Sequence, residues 1–247
     1  MDLLLELGTN QFYLILDDSN LDNSNIQVKT IAVFCCFKRL RGWTDNLKLS
    51  ILRALCQAYL IPMSSVYKQH IRDWLQTFIV ELNLCPFARP VVASDTLRIT
   101  VCESEDLNQL TQAFLIELDL IQQSSEEEIA TTLLVMPNAL ASFDEYLMFL
   151  DNAEALIEEL GLDGTIQLAS FHPEYLFDGE AEESASHYSN RSPYPVIHFL
   201  RENMLTDALG EFPNPEQIPQ RNISTLEKIG RAEIELRWQK LKGDSVQ

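Results

Sequence analysis

The sequence predicts an α/β fold: one compact domain with a small, mainly parallel sheet of three or more strands, flanked by helices. Strand-like segments recur at residues 97–101, 131–136 and 165–170, and segments with helical spacing of apolar residues lie between them. The strand segments are apolar on both faces, which is typical of strands covered by helices on each side. Two strand, helix, strand units in succession therefore favour a parallel sheet with right-handed crossovers.

The first helix and strand have clear local signals. Apolar residues recur at helical spacing over 66–82, and the segment 97–101 alternates as a strand does. Ser104 then stands where it could cap a helix whose apolar residues continue to Ile121.

The next unit follows the same order. The segment 131–136 is a continuous apolar strand, and Ser142 with Glu145 has the spacing of a capping box. The helix that begins there is expected to end at Gly161, because glycine often terminates helices, and 165–170 is the third strand.

The C-terminal elements are helical in this interpretation. Residues 196–209 are predicted as a helix, with Pro195 suited to its first turn. Residues 213–219 are predicted as a rigid turn, and Ser224 with Glu227 is predicted to cap a last helix.

The first 62 residues differ in composition from the rest. They carry six acidic and six basic side chains, whereas residues 63–247 carry 31 acidic and 12 basic ones. They contain a strand-like run at 30–37 and a helical segment at 44–60, and a segment this small is usually marginal on its own. We therefore expect residues 1–62 to be a loosely attached extension, or a start-site artefact, and residues 63–247 to be the domain.

Charge and cysteine content limit the class of protein. The net charge of -19 would repel nucleic-acid phosphates and anionic lipids, so neither nucleic acid nor a membrane is expected as a partner. Cationic or neutral partners fit better. Five cysteines without paired spacing argue against a disulfide framework and for the cytoplasm. The sequence identifies no cofactor and leaves the oligomeric state open.

The stretch from Ser170 to Glu202 concentrates the polar chemistry. It contains three of the four histidines, and Arg191 is the first lysine or arginine after a run over 99–190 that contains none. We call residues 170–202 the polar window. None of its spacings is a known metal, nucleophile or phosphate signature, so it does not name a reaction.

Five motifs in order along the chain carry a family resemblance. They are Asn83-Leu-Cys-Pro-Phe-Ala88, Thr131-Thr-Leu-Leu-Val-Met-Pro137, Ile166-Gln-Leu-Ala-Ser-Phe-His-Pro173, Asn190-Arg-Ser-Pro-Tyr-Pro195 and His198-Phe-Leu-Arg-Glu202. Over about 66–238 the chain resembles the family called domain of unknown function 1415, which implies no reaction. Around 182–187 it departs from the family pattern, which weakens a role for His187.

The candidate catalytic residues are His172, His198 and Cys85. His172 follows the third predicted strand, where open α/β sheets place their ligands, and His198 could face it. The alternative for each histidine is a structural hydrogen bond in a proline-restricted turn. Cys85-Pro-Phe-Ala resembles the opening of glutaredoxins, but a helix precedes it and Pro90 should break the helix that must follow, so a buried thiol is the alternative.

The candidate substrate-binding residues are Arg191, Arg201, Asn190 and Tyr194. Either arginine could hold an anionic group, while Asn190 and Tyr194 could shape the rim of one cavity shared with the histidines. The alternative for Arg191 is an ion pair with Asp178 or Glu174.

A metal site is not the preferred interpretation. The acidic loop 178–183, with His187 or His198, leaves a divalent cation as an alternative, although the spacing matches no standard ligand pattern.

Two function classes follow. One is an enzyme that acts on a small polar or anionic metabolite through a His/Arg pocket, with the metabolite as a small-molecule ligand. The other is a non-catalytic acidic interaction module that binds a basic partner, with the proline-rich polar window purely structural. The first is favoured if the candidate side chains converge on one open cavity, and the second if they are buried in mutual hydrogen bonds.

Overall fold

The computed structural model describes residues 4–7, 10–13 and 63–241 of the chain. Leu4–Leu7 (β1) and Asn10–Tyr13 (β2) form an antiparallel two-stranded ribbon. They belong to a compact unit of residues 1–60, and residues 61–247 form a second unit. The strand predicted at 30–37 and the helix predicted at 44–60 lie outside the described residues, so the peripheral character of the first 62 residues stays a prediction.

The second unit contains a mixed four-stranded sheet flanked by helices. Its strands are Leu97–Val101 (β3), Thr131–Val135 (β4), Ile166–Phe171 (β5) and Val196–Arg201 (β6), in the order β3-β4-β6-β5. The three predicted strands are confirmed, and β3 is parallel to β4. The sheet is not mainly parallel, because β6 lies between β4 and β5 and is antiparallel to both.

Helices lie before, between and after the four strands of this unit. They are Met63–Trp74 (α1), which continues as a π-helix over Leu75–Val80, Ala88–Val92 (α2), Leu107–Gln123 (α3), Phe143–Glu159 (α4), Glu202–Glu211 (α5), Ile218–Ile229 (α6) and Arg231–Lys240 (α7). Short 3-10 turns cover Ala185–Ser189 and Pro215–Gln217.

The sheet separates two apolar layers. Phe114 of α3 and Tyr146 of α4 pack with Phe199 against one face. Trp74 of α1, Leu226 of α6 and the residues around them pack against the other face. Because strand side chains alternate, neighbouring residues of β6 contribute to opposite layers.

The segment 196–209 corrects the predicted helix. It begins as the strand β6 and becomes helical only at Glu202. Val196, Ile197 and Phe199 are fully buried because helices cover both faces of this interior strand. A strand buried on both faces gives the same short apolar run as a buried helix, so its periodicity did not distinguish the two.

The helix ends also differ from the capping predictions. The N-cap of α3 is Asp106 rather than Ser104, and the Asp106 carboxylate accepts hydrogen bonds from the N–H groups of Asn108 and Gln109 at 2.9 and 3.1 Å. Ser142 is the N-cap of α4, but its side chain makes no capping hydrogen bond, so the predicted capping box does not form.

The C-terminal region contains two helices where one was predicted. Ser224 lies inside α6 and caps nothing, because α6 begins at Ile218. Gly230 separates α6 from α7 with a φ of 84°, a conformation that costs glycine little.

Candidate functional site

The polar window forms the end of β5, a long loop and all of β6. The loop contains the 3-10 turn and returns the chain so that Val196 pairs with Phe171 and Arg201 pairs with Ile166. Residues at the start of β6 therefore lie near the loop. Residues at its end lie about 17 Å away, five strand residues along the sheet.

His172 is a structural residue of the loop. Its side chain is fully buried, and it packs against the rings of Phe143 and Tyr146. Nε2 donates to the carbonyl of Leu140 at 2.9 Å, and Nδ1 accepts from the N–H of Glu174 at 3.0 Å. Burial lowers the pKa of His172, which agrees with a neutral ring that donates at one nitrogen and accepts at the other. Both ring nitrogens therefore form hydrogen bonds with backbone groups in this structure.

Asn190 and His187 hold the rest of the loop. The backbone carbonyl of Asn190 accepts from the N–H of His172, and its side-chain amide donates to the carbonyl of Ser170 at 3.2 Å. The ring of His187 is also fully buried, with Nε2 donating to Ala181 and Nδ1 accepting from Phe177. These contacts fix the acidic loop from within.

Arg191 forms no ion pair with Asp178 or Glu174, which was the alternative to ligand binding. Its Nε donates to the carbonyl of Tyr175 at 3.2 Å, and its guanidinium lies 4.7 Å from the centre of the Tyr188 ring. The cation is therefore used to join the loop to the 3-10 turn.

Arg201 binds the end of a helix. Its guanidinium donates to the carbonyls of Ile121 and Ser124 at 2.7 Å and of Ile129 at 3.0 Å. The last carbonyls of a helix have no intrahelical partners, and a cation there also opposes the negative end of the helix dipole. Arg201 thus terminates α3 at the end of the sheet remote from His172.

His198 differs from the other histidines of the window. Its Nε2 lies 2.6 Å from Oγ1 of Thr131, and that hydroxyl donates to the carbonyl of Phe199 at 2.6 Å. Because the hydroxyl has one proton, Nε2 must be the donor to it. The ring is partly buried, and desolvation lowers its pKa to about 4. His198 is therefore a neutral histidine with a fixed tautomer, and Nδ1 has no hydrogen-bond partner among the described residues.

His198 does not face His172. His198 lies on the sheet face covered by α1, with Phe171 at a ring distance of 6.2 Å. His172 packs instead against the aromatic rings of α4 on the other side. The sheet separates the two rings.

Tyr194 packs against α1. Its hydroxyl lies 2.7 Å from Nδ1 of His70, and its ring contacts the rings of His70 and Tyr67. Burial raises the pKa of Tyr194 to about 12, so the phenol is neutral.

Cys85 lies between the π-helix and α2. Burial raises the pKa of the Cys85 thiol, although the N–H groups of Phe87 and Ala88 donate to its sulfur and oppose the shift. Pro90 does not prevent a helix here, because it lies in the first turn of the five-residue α2, where no N–H is needed. A raised pKa lowers the thiolate fraction and so disfavours a nucleophile.

The predicted shared cavity is wrong. The loop does bring His172, Asn190 and Arg191 together, but as mutual supports of a closed turn. Arg201 lies at the other end of the sheet and His198 on its other face. The predicted catalytic and substrate-binding roles of single residues stay predictions.

Two surface concavities of the described residues lie outside the polar window. A groove of about 300 Å³ lies between α3 and α4. It is lined by Thr111, Phe114, Phe149, Asn152, Ala153, Ala155, Leu156 and Glu159. A second one of about 270 Å³ is lined by Phe87, Ala208, Glu211 and Phe212. None of the candidate residues of the polar window lines either.

The sequence interpretation named an acidic interaction module as an alternative but did not single out the outer face of α3 and α4. This face exposes apolar side chains, with Ile116 at 55% and Met148 at 66%. The available signal was the presence of apolar residues outside the core stripe of each helix, in a segment without lysine or arginine. We call this surface the acidic face.

Neither a metal cluster nor a membrane span is found where the structure describes the chain. No group of three His, Cys, Asp or Glu side chains is arranged to hold a metal ion among residues 4–7, 10–13 and 63–241. None of the helices in the described ranges is long and apolar enough to cross a bilayer.

Of the three comparisons with known proteins, the one with family models finds a match. No curated protein and no solved structure matches the chain. The family model described as a protein of unknown function, DUF1415, matches residues 66–236. This range contains all five motifs, the whole sheet and the polar window, so the chain belongs to the DUF1415 family.

Proposed function

We propose that the protein is a non-catalytic acidic interaction module that binds a basic partner, with the polar window as a structural clasp. The observation that carries the proposal is the separation of charge. Residues 99–190 contain no lysine or arginine and supply both α3 and α4, so neither helix carries a cation. Arg98 and Arg201 reach α3 from the sheet, and they are paired with Glu117 and with backbone carbonyls.

The hydrogen bonding of the polar window supports the same proposal. His172 and His187 are fully buried, and both ring nitrogens of each form hydrogen bonds with backbone groups. A buried polar group that is fully paired stabilises one conformation of the loop and offers little to a ligand.

Electrostatics favour a basic partner over other classes. A chain with a net charge of -19 repels phosphates and anionic surfaces, and it attracts cationic surfaces with faster association at low salt. The apolar side chains on the same face add a hydrophobic attraction, which salt does not screen as it screens the attraction between charges.

His198 favours the enzymatic alternative. The imidazole has Nδ1 unpaired among the described residues and Nε2 fixed by Thr131, so Nδ1 can accept a hydrogen bond from a ligand, while the lowered pKa of the ring makes it a weak base at neutral pH. In this alternative a small polar or anionic metabolite would bind on the face of the sheet that α1 covers, and Arg191 and Arg201 would not contact it.

A paired thermal-shift experiment separates the two functions. One series contains small polar metabolites, and the other contains a lysine-rich peptide and an acidic peptide of equal length. We expect stabilisation by the basic peptide alone, weaker at higher salt. Reversal of two charges on α4, Asp151→Lys with Glu154→Lys, should reduce it, whereas Glu216→Lys with Glu227→Lys outside that face should not. A metabolite that stabilises the wild type but not His198→Gln would contradict the proposal.

A further inference from the structure

The groove between α3 and α4 has an apolar floor and a polar rim. Phe114 is fully buried, Phe149 and Ala153 are nearly so, and all three line the groove. Glu159 lines it as well, and its side chain is exposed. A volume of about 300 Å³ is within the range of sites that accept a few apolar side chains.

The groove follows the helices that form it. Phe149, Asn152, Leu156 and Glu159 fall at helical positions 0, 3, 7 and 10, which place them along one side of α4. Ten residues of helix span about 15 Å. The α4 wall of the groove is therefore about three turns long, whereas α3 contributes Thr111 and Phe114, which lie one turn apart.

The lining argues for a helical occupant. An extended peptide needs a free sheet edge for its backbone hydrogen bonds, and the walls here are two helices whose backbone groups are already paired. A helix satisfies its own backbone and presents apolar side chains at i, i+3, i+4 and i+7, which matches a trough of this length.

The negative charge of α3 and α4 indicates that the bound helix should carry basic residues beside its apolar stripe. Glu159 is the acidic residue that lines the groove, Glu145 on α4 and Asp119 on α3 are exposed elsewhere on the two helices, and neither helix carries a lysine or arginine. A second copy of this chain would bring the same negative charge and be repelled, as would a nucleic acid.

We propose that the α3–α4 groove is the docking site for one basic amphipathic helix of the partner, with its apolar stripe on Ala155 and Leu156 above the buried floor of Phe114 and Phe149, and its cations beside Glu159. This inference rests on the proposed function and adds the position and form of the bound segment.

Two synthetic peptides of identical composition test it. One places leucines on a single stripe of a lysine-rich helix, and the other distributes the same leucines around the helix. Binding is measured by titration calorimetry with the full chain. We expect the striped peptide to bind at least about tenfold more tightly, the effect of an interface anchor.

Three protein variants locate the contact. Asn152→Lys places a long cation within the trough, and Glu159→Lys reverses the charge of its rim. Both should weaken the striped peptide by about tenfold or more. Glu227→Lys makes the same change of charge on α6, which covers the opposite face of the sheet, and should have little effect.

The outcomes distinguish the two levels of the proposal. If both peptides bind equally and all variants weaken them equally, the groove is not the site, and only the general attraction to a basic partner survives. If neither peptide binds at low salt, the groove and the proposed function both fall. Loss of binding in a variant counts only if its unfolding midpoint matches that of the wild type.

Discussion

Replacement of Arg201 by methionine should destabilise the protein substantially. The substitution keeps an apolar stem but removes the cation that donates to the carbonyls of Ile121 and Ser124 at the end of α3 and of Ile129 in the segment before β4. A hydrogen bond to a charged group contributes about 1.5–3 kcal/mol. Water reaches this partly buried site and replaces some of the loss, so we expect the free energy of unfolding to fall by about 3 kcal/mol rather than by the sum.

Denaturant unfolding with fluorescence detection measures this change, with Arg237→Met as the matched control. Arg237 forms an exposed pair with Glu233 four residues away on α7, a type of pair that contributes about 0.3–0.5 kcal/mol. If Arg201→Met and Arg237→Met lower the free energy of unfolding equally, the structural role of Arg201 is wrong, and a role in ligand binding becomes the better explanation.

Four further predictions can be checked independently. Asp106→Ala should lower the free energy of unfolding by about 1 kcal/mol, whereas Ser142→Ala, at an N-cap without a side-chain bond, should change it by a few tenths; equal effects in urea unfolding would count against the capping geometry. The pKa of His198 is lower in the folded chain than its usual 6.5, so its contribution to stability is full above pH 6.5 and is lost as pH falls towards 4; His198→Gln should flatten this slope in unfolding curves. Alkylation of Cys85, followed by mass spectrometry of its peptide, should still accelerate above pH 9, and a plateau below pH 8 would indicate an activated thiol. A chain that begins at Met63 should unfold at the same denaturant concentration as the full chain, and a clear drop would show that the preceding residues belong to the core.

The sequence predicted the strands because their signals are local. The segment 97–101 alternates apolar and polar residues, and the segment 131–136 is continuously apolar. The structure has strands at both places. Strand order is not local, because it depends on how the chain returns through the loop after β5. The sequence interpretation could therefore predict parallel neighbours but not the insertion of β6 between β4 and β5.

The sequence interpretation identified the polar window correctly as a cluster of prolines and polar side chains, but it predicted the wrong relative positions for these side chains. Prolines and polar side chains do meet there, since Asn190 bonds to the backbone of both Ser170 and His172. The helix predicted for 196–209 would have placed His198 and Arg201 on one side. In a strand, residues 198 and 201 point to opposite faces, so the common pocket disappears.

From the sequence, the acidic face could be recognised only by its lack of lysine and arginine. The absence of lysine and arginine over 99–190 could be read directly, but the trough depends on the lateral spacing of α3 and α4. That spacing is set by the sheet beneath them, in particular by the insertion of β6 between the two strands that flank α4. A groove between helices that are distant in sequence cannot be derived from either helix alone.

The most direct test of the account is a nuclear magnetic resonance titration of the labelled full chain with the striped basic peptide. We predict that the largest chemical-shift changes fall on α3 and α4, at residues such as Thr111 and Asn152, while the resonances of the polar window move little. If the largest changes fall instead on His198 and Arg191, the polar window is the binding site, and the account of it as a structural clasp is contradicted.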